Sequence, residues 1–484
     1  MSRMTRREQT ESTSGGRTPV ATIHDRSEAF PEKRFTPLSL VNSELTMTCP
    51  GEAHPISRSV HLARLSSGYQ GCHDCRWNQS TSPISGRHHG RSLVTPDGIR
   101  GVYLNDLDRT RAANWGAAFA SFLWDDQPRV GLQTVRPVEL VTSVPALSDP
   151  NIAIPKLVTP PTRRGPVVVI GFDERTSSPD IIMGVALGLR RMGCHVIDLG
   201  QTSQPCFHFA VHHLDAVGGV FVTGTGCDPA WTGFHFAGRG STPWLHADQL
   251  AQLERRTASE VARPTRTAGT QRGFHADVPY QTGLWKLFHA LRPLQVVCGA
   301  ATRQLPRMLD ALFARLPCQL SLEPLPVRRR NLNDPQDVDV RRVAGRVLTG
   351  RHHLGLIVDD DGERCAFVTN DGQLVTAGEL ARLLVLLEMH EHRATRVVVD
   401  ETLYPEVTGW LASVGTACQA EPSSLADLPA AVIQHNAALG ITADHRVWFG
   451  GSYPASNAIL TLARVLQALS LSDTPMSEVI RRAA

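Results

Sequence analysis

Asp359-Asp360-Asp361-Gly362-Glu363-Arg364 follows directly on the apolar run Leu354-Gly355-Leu356-Ile357-Val358. The apolar run reads as a short buried strand and the acidic run as the loop that leaves it. Like charges this close repel one another, so such a loop is either solvated or shares a cation. Asp359, Asp361 and Glu363 alternate along the chain, and in an extended or turning backbone they can point to one side. Gly362 permits the tight turn between them. Hard oxygen ligands of this kind suit Mg²⁺ better than zinc, and Arg364 can pair with a carboxylate or meet a phosphate. A solvated acidic turn would carry the same letters, so the upstream sequence has to decide.

Upstream, strands and helices alternate. Val167-Val168-Val169-Ile170-Gly171 reads as a buried strand, followed by the loop Asp173-Glu174-Arg175-Thr176-Ser177-Ser178-Pro179. Ser177 or Ser178 can cap the next helix, with Pro179 near its first turn, and Gly193 ends that helix. A second strand spans Cys194 to Gly200, a second helix Phe207 to Leu214, and a third strand Gly219 to Val222. This alternation predicts a parallel sheet covered on both faces, with ligands collecting at the carboxyl ends of the strands. The loop after the third strand, Thr223-Gly224-Thr225-Gly226-Cys227-Asp228-Pro229, alternates small hydroxyls with glycines. Bare backbone N–H groups and an exposed hydroxyl suit phosphate, although Gly/Thr loops are also ordinary turns.

Before the α/β region, Cys49, Cys72 and Cys75 cluster with His54, His61 and His73. Cys72-His73-Asp74-Cys75 is a CxxC turn, which lets two thiolates meet one tetrahedral zinc. Cys49 would be the third ligand and His54 or His61 the fourth, giving a structural Zn²⁺ in a small ribbon. Three free thiols in a polar loop fit the same spacing equally well.

The chain has 484 residues, enough for about three domains, and a net charge of only +3. That balance gives no basic footprint and weighs against nucleic acid. No apolar run is long enough to span a membrane, and the first residues lack the apolar core of a secretory signal. Seven of the ten cysteines scatter through the α/β part, as expected of a reduced cytoplasmic protein. Residues 1–45 are expected to form a disordered tail and 46–90 the Cys/His-rich zinc-ribbon-like segment. A first α/β domain is expected over 91–260 with an insertion at about 125–164, a second over 275–389, and a third over 390–484. In the second domain, Arg328-Arg329-Arg330 reads as a solvated basic turn, phosphate contact being the lesser option.

Three motifs in order resemble the α-D-phosphohexomutases, the phosphoglucomutase/phosphomannomutase superfamily. Thr95 to Gly101 resembles that family's T-D-G-I-R-G, with Pro96 inserted; Asp173 to Ser178 resembles its D-x-R-x-S-S; Asp359 to Arg364 resembles its metal loop D-G-D-G-D-R. Residues 223–233 then fall on T-A-S-H-N-P-P-E-Y-N-G. The resemblance runs from about Leu93 onward and implies tandem α/β/α domains with mixed, mainly parallel sheets. It also implies an enzyme that carries a phosphoryl group on a hydroxyl and passes it to and from a hexose phosphate, with Mg²⁺ as cofactor. Carried over position by position, Thr225 takes the phosphorylated place, and Asp359, Asp361 and Glu363 take the metal places. Arg100, Arg175 and Arg364 would offset phosphate charge.

Several positions depart from the family pattern. Thr225 replaces serine, and its β-methyl restricts the rotamer. Gly226 and Cys227 stand in place of His and Asn, His235 in place of the common Lys, and Glu363 in place of Asp. Gly440 to His445 falls on G-E-E-S-G-H without the two glutamates that grip the sugar, and Asp444 and His445 read as surface residues. The expected end of the resemblance near Ala484 leaves no room for a fourth, phosphate-anchoring domain. Two functions follow: intramolecular phosphoryl transfer on hexose phosphates, or a catalytically impaired mutase scaffold with a binding or regulatory role.

Overall fold

A computed structural model of the chain describes residues 92–126, 165–259, 261–391, 395–414, 418–451 and 453–483, together with short pieces between 46 and 64. The chain divides into two units, residues 1–84 and 85–484. In the first, β1 (Thr46–Met47) pairs antiparallel with β2 (Ile56–Ser57). Cys49, His54, Cys72 and Cys75 lie outside the described residues, as does the expected insertion from residue 127 to 164.

The second unit holds three sheets. The first is built from β3 (Val94–Thr95), β4 (Gly98–Val102), α1 (Arg109–Asp126), β5 (Val167–Phe172), α2 (Ser178–Arg191), β6 (His195–Gln201), α3 (Gln204–His213), β7 (Gly218–Val222), β8 (Trp231–Ala237), α4 (Ala247–Thr257) and β9 (Gln271–Gly273). Its strand order is β3-β4-β8-β7-β5-β6-β9. β7, β5, β6 and β9 run parallel, and the other three strands add on antiparallel. The parallel centre follows from sequence. Val168, Val169 and Ile170 are all fully buried, which a strand needs when helices cover both faces. α3 begins at Gln204 rather than at Phe207, because Pro205 sits in the first turn, where its missing N–H costs nothing.

After α5 (Asp277–Trp285), the second sheet comprises β10 (Gln295–Ala300), α6 (Gln304–Phe313), β11 (Gln319–Pro324), α7 (Val338–Gly350), β12 (Leu354–Val358) and β13 (Cys365–Thr369), in the order β11-β10-β12-β13. α8 (Ala377–Glu391) leads to the third: β14 (Thr395–Asp400), α9 (Tyr404–Val414), β15 (Cys418–Ser423), α10 (Leu428–Gln434), β16 (Leu439–Ile441) and β17 (Val447–Phe449), in the order β15-β14-β16-β17. The two four-stranded sheets therefore repeat one plan. Three parallel strands are followed by an antiparallel fourth, and a tight hairpin joins the last two. α11 (Ala458–Ser470) and α12 (Met476–Ala483) close the unit. Asn457 caps α11 by accepting from the N–H groups of Ile459 and Leu460. One continuous apolar core runs from Phe207 and Phe221 of the first sheet through Leu356 and Phe367 of the second to Val399 and Leu462 beside the third. The three layers thus pack as one body. Among the described residues no helix is long and apolar enough to cross a membrane.

Candidate active site

The loops that leave β5 and β7 meet the hairpin tips of the second and third sheets. Asp173, at the end of β5, ties two of these loops together. Its Oδ1 accepts from the Ser178 hydroxyl (2.5 Å) and the Arg175 N–H (3.1 Å), and its Oδ2 from the Gly224 N–H (3.2 Å). Neither expected capping serine caps: Ser177 occupies the N-cap without a side-chain bond, and Ser178 turns back to Asp173.

Thr225 is buried, with its hydroxyl 2.8 Å from that of Thr223, which also accepts the Thr225 N–H at 3.0 Å. The loop's glycines are required by contact and conformation. A Cβ on Gly224 would stand 2.3 Å from the Trp231 carbonyl oxygen. Gly226 has φ +78°, and a Cβ there would lie 3.5 Å from Arg364 Nη2. Space alone would admit a Cβ there, so it is the left-handed backbone that asks for glycine where the family has histidine.

The two arginines of the first sheet expected to offset phosphate charge both donate to the backbone of this loop. Arg175 donates to the carbonyls of Cys227 (3.0 Å) and Asp228 (2.7 Å) and to Asp360 Oδ2 (3.2 Å). Arg100 donates to the carbonyls of Ile99 (3.0 Å) and Thr225 (3.4 Å), and its Nη2 lies 2.6 Å from His235 Nε2. A guanidinium only donates, so Nε2 accepts and the imidazole proton sits on Nδ1. Burial and the Arg100 charge hold the His235 pKa well below the usual range, which keeps the ring neutral.

The acidic tip is more heavily neutralised than its sequence suggests. Asp359, Asp360, Asp361 and Glu363 are all buried. Asp359 faces two guanidiniums: Arg330 Nη1 stands 3.3 Å from Oδ1, and Arg364 contacts Oδ2. Burial would raise the Asp359 pKa, but Arg364 and Arg330 bring it below the ordinary value. Burial and the adjacent Asp359 charge push Asp360 up to about 6, against Arg330 at 2.8 Å. Arg330 is the clearest correction to the sequence reading. It is fully buried, also donates to Asp339 Oδ2 at 2.9 Å, and is no part of a solvated turn. Asp361 Oδ1 accepts the Glu363 N–H at 2.9 Å, and burial together with the Asp361 charge raises Glu363 to about 8.

The tip of the third sheet meets this one. Arg364 and Arg446 form an antiparallel bridge, and the Cys365 N–H donates to the His445 carbonyl at 3.3 Å. Both tips use one turn. Gly362 N–H donates to Asp359 O and His445 N–H to Thr442 O, each at 3.1 Å, and Gly362 and His445 both take positive φ. His445 is not a surface residue: it is buried, with Nε2 2.8 Å from Asn333 Oδ1. Burial lowers its pKa from 6.5 to about 4. The folded state refuses a proton that the unfolded chain accepts. Stability from this group is therefore complete above pH 6.5 and declines as pH falls towards 4, by on the order of 3 kcal/mol over the window. His445→Asn, which tolerates the left-handed backbone and cannot titrate, is expected to flatten that part of the stability–pH curve in denaturant titrations.

The structure thus brings Thr225, Arg100, Arg175, Arg364, Asp359, Asp361 and Glu363 into one region. The sequence reading gave no role there to Arg330 or Arg446, or to Asp97, whose Oδ1 accepts from Arg446 Nη2 at 2.7 Å. The loop's excess negative charge was the available signal, since buried carboxylates demand cations from somewhere. The expected Mg²⁺ finds hard oxygens here, but not arranged for it: among the described residues no three His, Cys, Asp or Glu side chains form a metal-holding group. Beside the tip lies a cavity of about 410 Å³, lined in part by Asp97, Arg100, Gly226, Cys227, Asp228 and Arg329.

Tandem α/β/α sheets that press a small-hydroxyl loop against an acidic, arginine-rich hairpin tip define a phosphohexomutase-like protein. Residues 153–263 match the family described as phosphoglucomutase/phosphomannomutase, alpha/beta/alpha domain I. It is 27% identical over 257 residues to the phosphomannomutase/phosphoglucomutase of Pseudomonas aeruginosa, covering 49% of this chain and 51% of that one. It is 24% identical over 332 residues to the phosphoglucomutase of Neisseria gonorrhoeae, covering 65% and 68%. In fold it is similar to a phosphoglucomutase/phosphomannomutase family protein from Burkholderia thailandensis, with TM-score 0.64, 21% identity and 80% of each chain covered. The chain spans about half the length of the first of these curated relatives.

Proposed function

We propose that the chain performs phosphohexomutase-type intramolecular phosphoryl transfer on hexose phosphates, with the Thr225 hydroxyl carrying the phosphoryl group. The observation behind this reading is the placement of that hydroxyl. It stands at the carboxyl end of a parallel sheet, with Arg364 against the next residue and a cavity beyond. In the transfer step the Thr225 oxygen bonds to phosphorus, the bond from phosphorus to the sugar oxygen breaks, and that oxygen leaves with the hydroxyl proton. The residues supply position and charge, which is most of what phosphoryl transfer requires. Arg175 and Arg100 hold the loop. Arg364 Nε is buried without a hydrogen-bond partner among the described residues, and a phosphoryl oxygen on Thr225 would give it one. Arg329 lines the cavity and is placed to meet a second phosphate.

The test is to incubate the full chain with glucose 1,6-bisphosphate and map phosphorylation by mass spectrometry, with Thr225→Ala as the blank. Phosphothreonine at Thr225, absent from the variant, is the expected result. A folded protein with no label at Thr225 would overturn the reading and leave the chain as a scaffold for binding or regulation.

A further inference from the structure

Two of the three carboxylates that a divalent cation would need, Asp359 and Glu363, already face basic or imidazole groups, while the Asp361 side chain, among the described residues, accepts only the Glu363 N–H. Both oxygens of Asp359 face guanidiniums, those of Arg330 and Arg364. Glu363 lies between Arg446 and an imidazole that burial keeps neutral, with Oε2 3.7 Å from Arg446 Nε and Oε1 3.8 Å from His208 Nε2. Arg446 is itself buried, with 7% of its side chain exposed, and gives its other nitrogens to Asp97 and Asp444. One planar fork therefore joins three carboxylates from three sheets, a bridging role that a metal ion would otherwise fill.

We infer that Arg446 is the resident cation of the acidic tip, and that its guanidinium takes the place of a divalent metal. Octahedral Mg²⁺ needs oxygens converging at about 2.0–2.1 Å, and it would need them beside two fixed guanidiniums whose charge opposes its entry. Turning Glu363 towards a metal would leave Arg446 buried without one of its partners, which is costly in a low-dielectric site. The sequence places Arg446 immediately after the stretch that falls on the family's G-E-E-S-G-H without its two glutamates. The inference deepens the proposed function and rests on it only in assigning this tip to a phosphoryl-transfer centre. Cation binding is read without turnover, so the two can fail separately.

The test uses Mn²⁺, whose free-ion electron paramagnetic resonance signal is attenuated on binding, and titrates it into the full chain. The wild type is expected to leave the signal unattenuated when Mn²⁺ and protein are equimolar. Arg446→Val should create attenuation that Asp361→Asn in the same background removes, with affinity raised more than roughly tenfold. Stoichiometric Mn²⁺ binding by the wild type, lost in Asp361→Asn, would overturn the inference. So would a folded Arg446→Val that binds no better than wild type. Circular dichroism checks the fold; if valine is not accommodated, Arg446→Gln keeps the first part of the stem and a polar end without the charge, and reads the same gain or its absence.

Discussion

Arg330→Ala is expected to lower stability by about 3–5 kcal/mol, seen as an earlier midpoint in chemical denaturation. The guanidinium is fully buried and serves Asp339, Asp359 and Asp360 together. Removing it leaves carboxylates out of water with too little positive charge, which costs far more than losing an exposed ion pair. Arg328 still holds Asp339 at 2.9 Å and Arg175 still holds Asp360 at 3.2 Å, so the loss stops short of all three pairings. The pH dependence identifies the cause. Burial and the Asp359 charge already push Asp360 up to about 6, and losing Arg330 removes a group that holds it down. Below that range the carboxyl is neutral and needs no partner. The deficit should therefore be small in mild acid and grow as pH rises. Arg346, exposed on α7, provides the control, and its alanine variant should fall within about 0.5 kcal/mol of wild type. Equal losses at the two positions would refute the buried-cation account.

Arg175→Lys is expected to leave the fold in place and cut labelling of Thr225 by about a hundredfold, because a small displacement of a reacting group has an effect of that size. The guanidinium reaches the carbonyls of Cys227 and Asp228 and the Asp360 carboxylate at once. Lysine keeps the charge but presents its donors from one point and cannot span that fork. Rates of phosphothreonine formation, compared at equal folded fraction, read the effect. An unchanged rate would mean that the loop holds its shape without this staple.

The sheets were readable because buried parallel strands leave unmixed apolar runs. Val167 to Gly171 and Leu354 to Val358 stand where the sequence placed them. The Thr225 loop and the acidic tip were readable for a different reason: each alone fits an ordinary turn, and it is their order with two other motifs that resembles one family. The neutralising arginines were not readable. Arg330 sits in a run of three arginines, which ordinarily marks a wet surface, and only the fold shows that the third turns inward to meet aspartates about thirty positions on. Arg446 follows a stretch whose match to the family pattern stops at His445, and its partner Asp97 lies 349 positions away beside another sheet. His445 was misplaced because a lone histidine after an aspartate carries no sign of the turn that buries it. Periodicity reports which face is covered, while pairing between distant charges is decided by topology.

The Asp97–Arg446 ion pair joins residues 349 positions apart. A ribosome adding about 5–20 residues per second exposes Asp97 on the order of tens of seconds before Arg446 exists. During synthesis the first sheet can therefore form and the Thr225 loop can take shape, while the cleft still lacks the side chain that closes it. The last hairpin to emerge completes the charge balance of the first sheet, so a chain interrupted before Arg446 would carry Asp97 and the acidic tip without the cation that joins them.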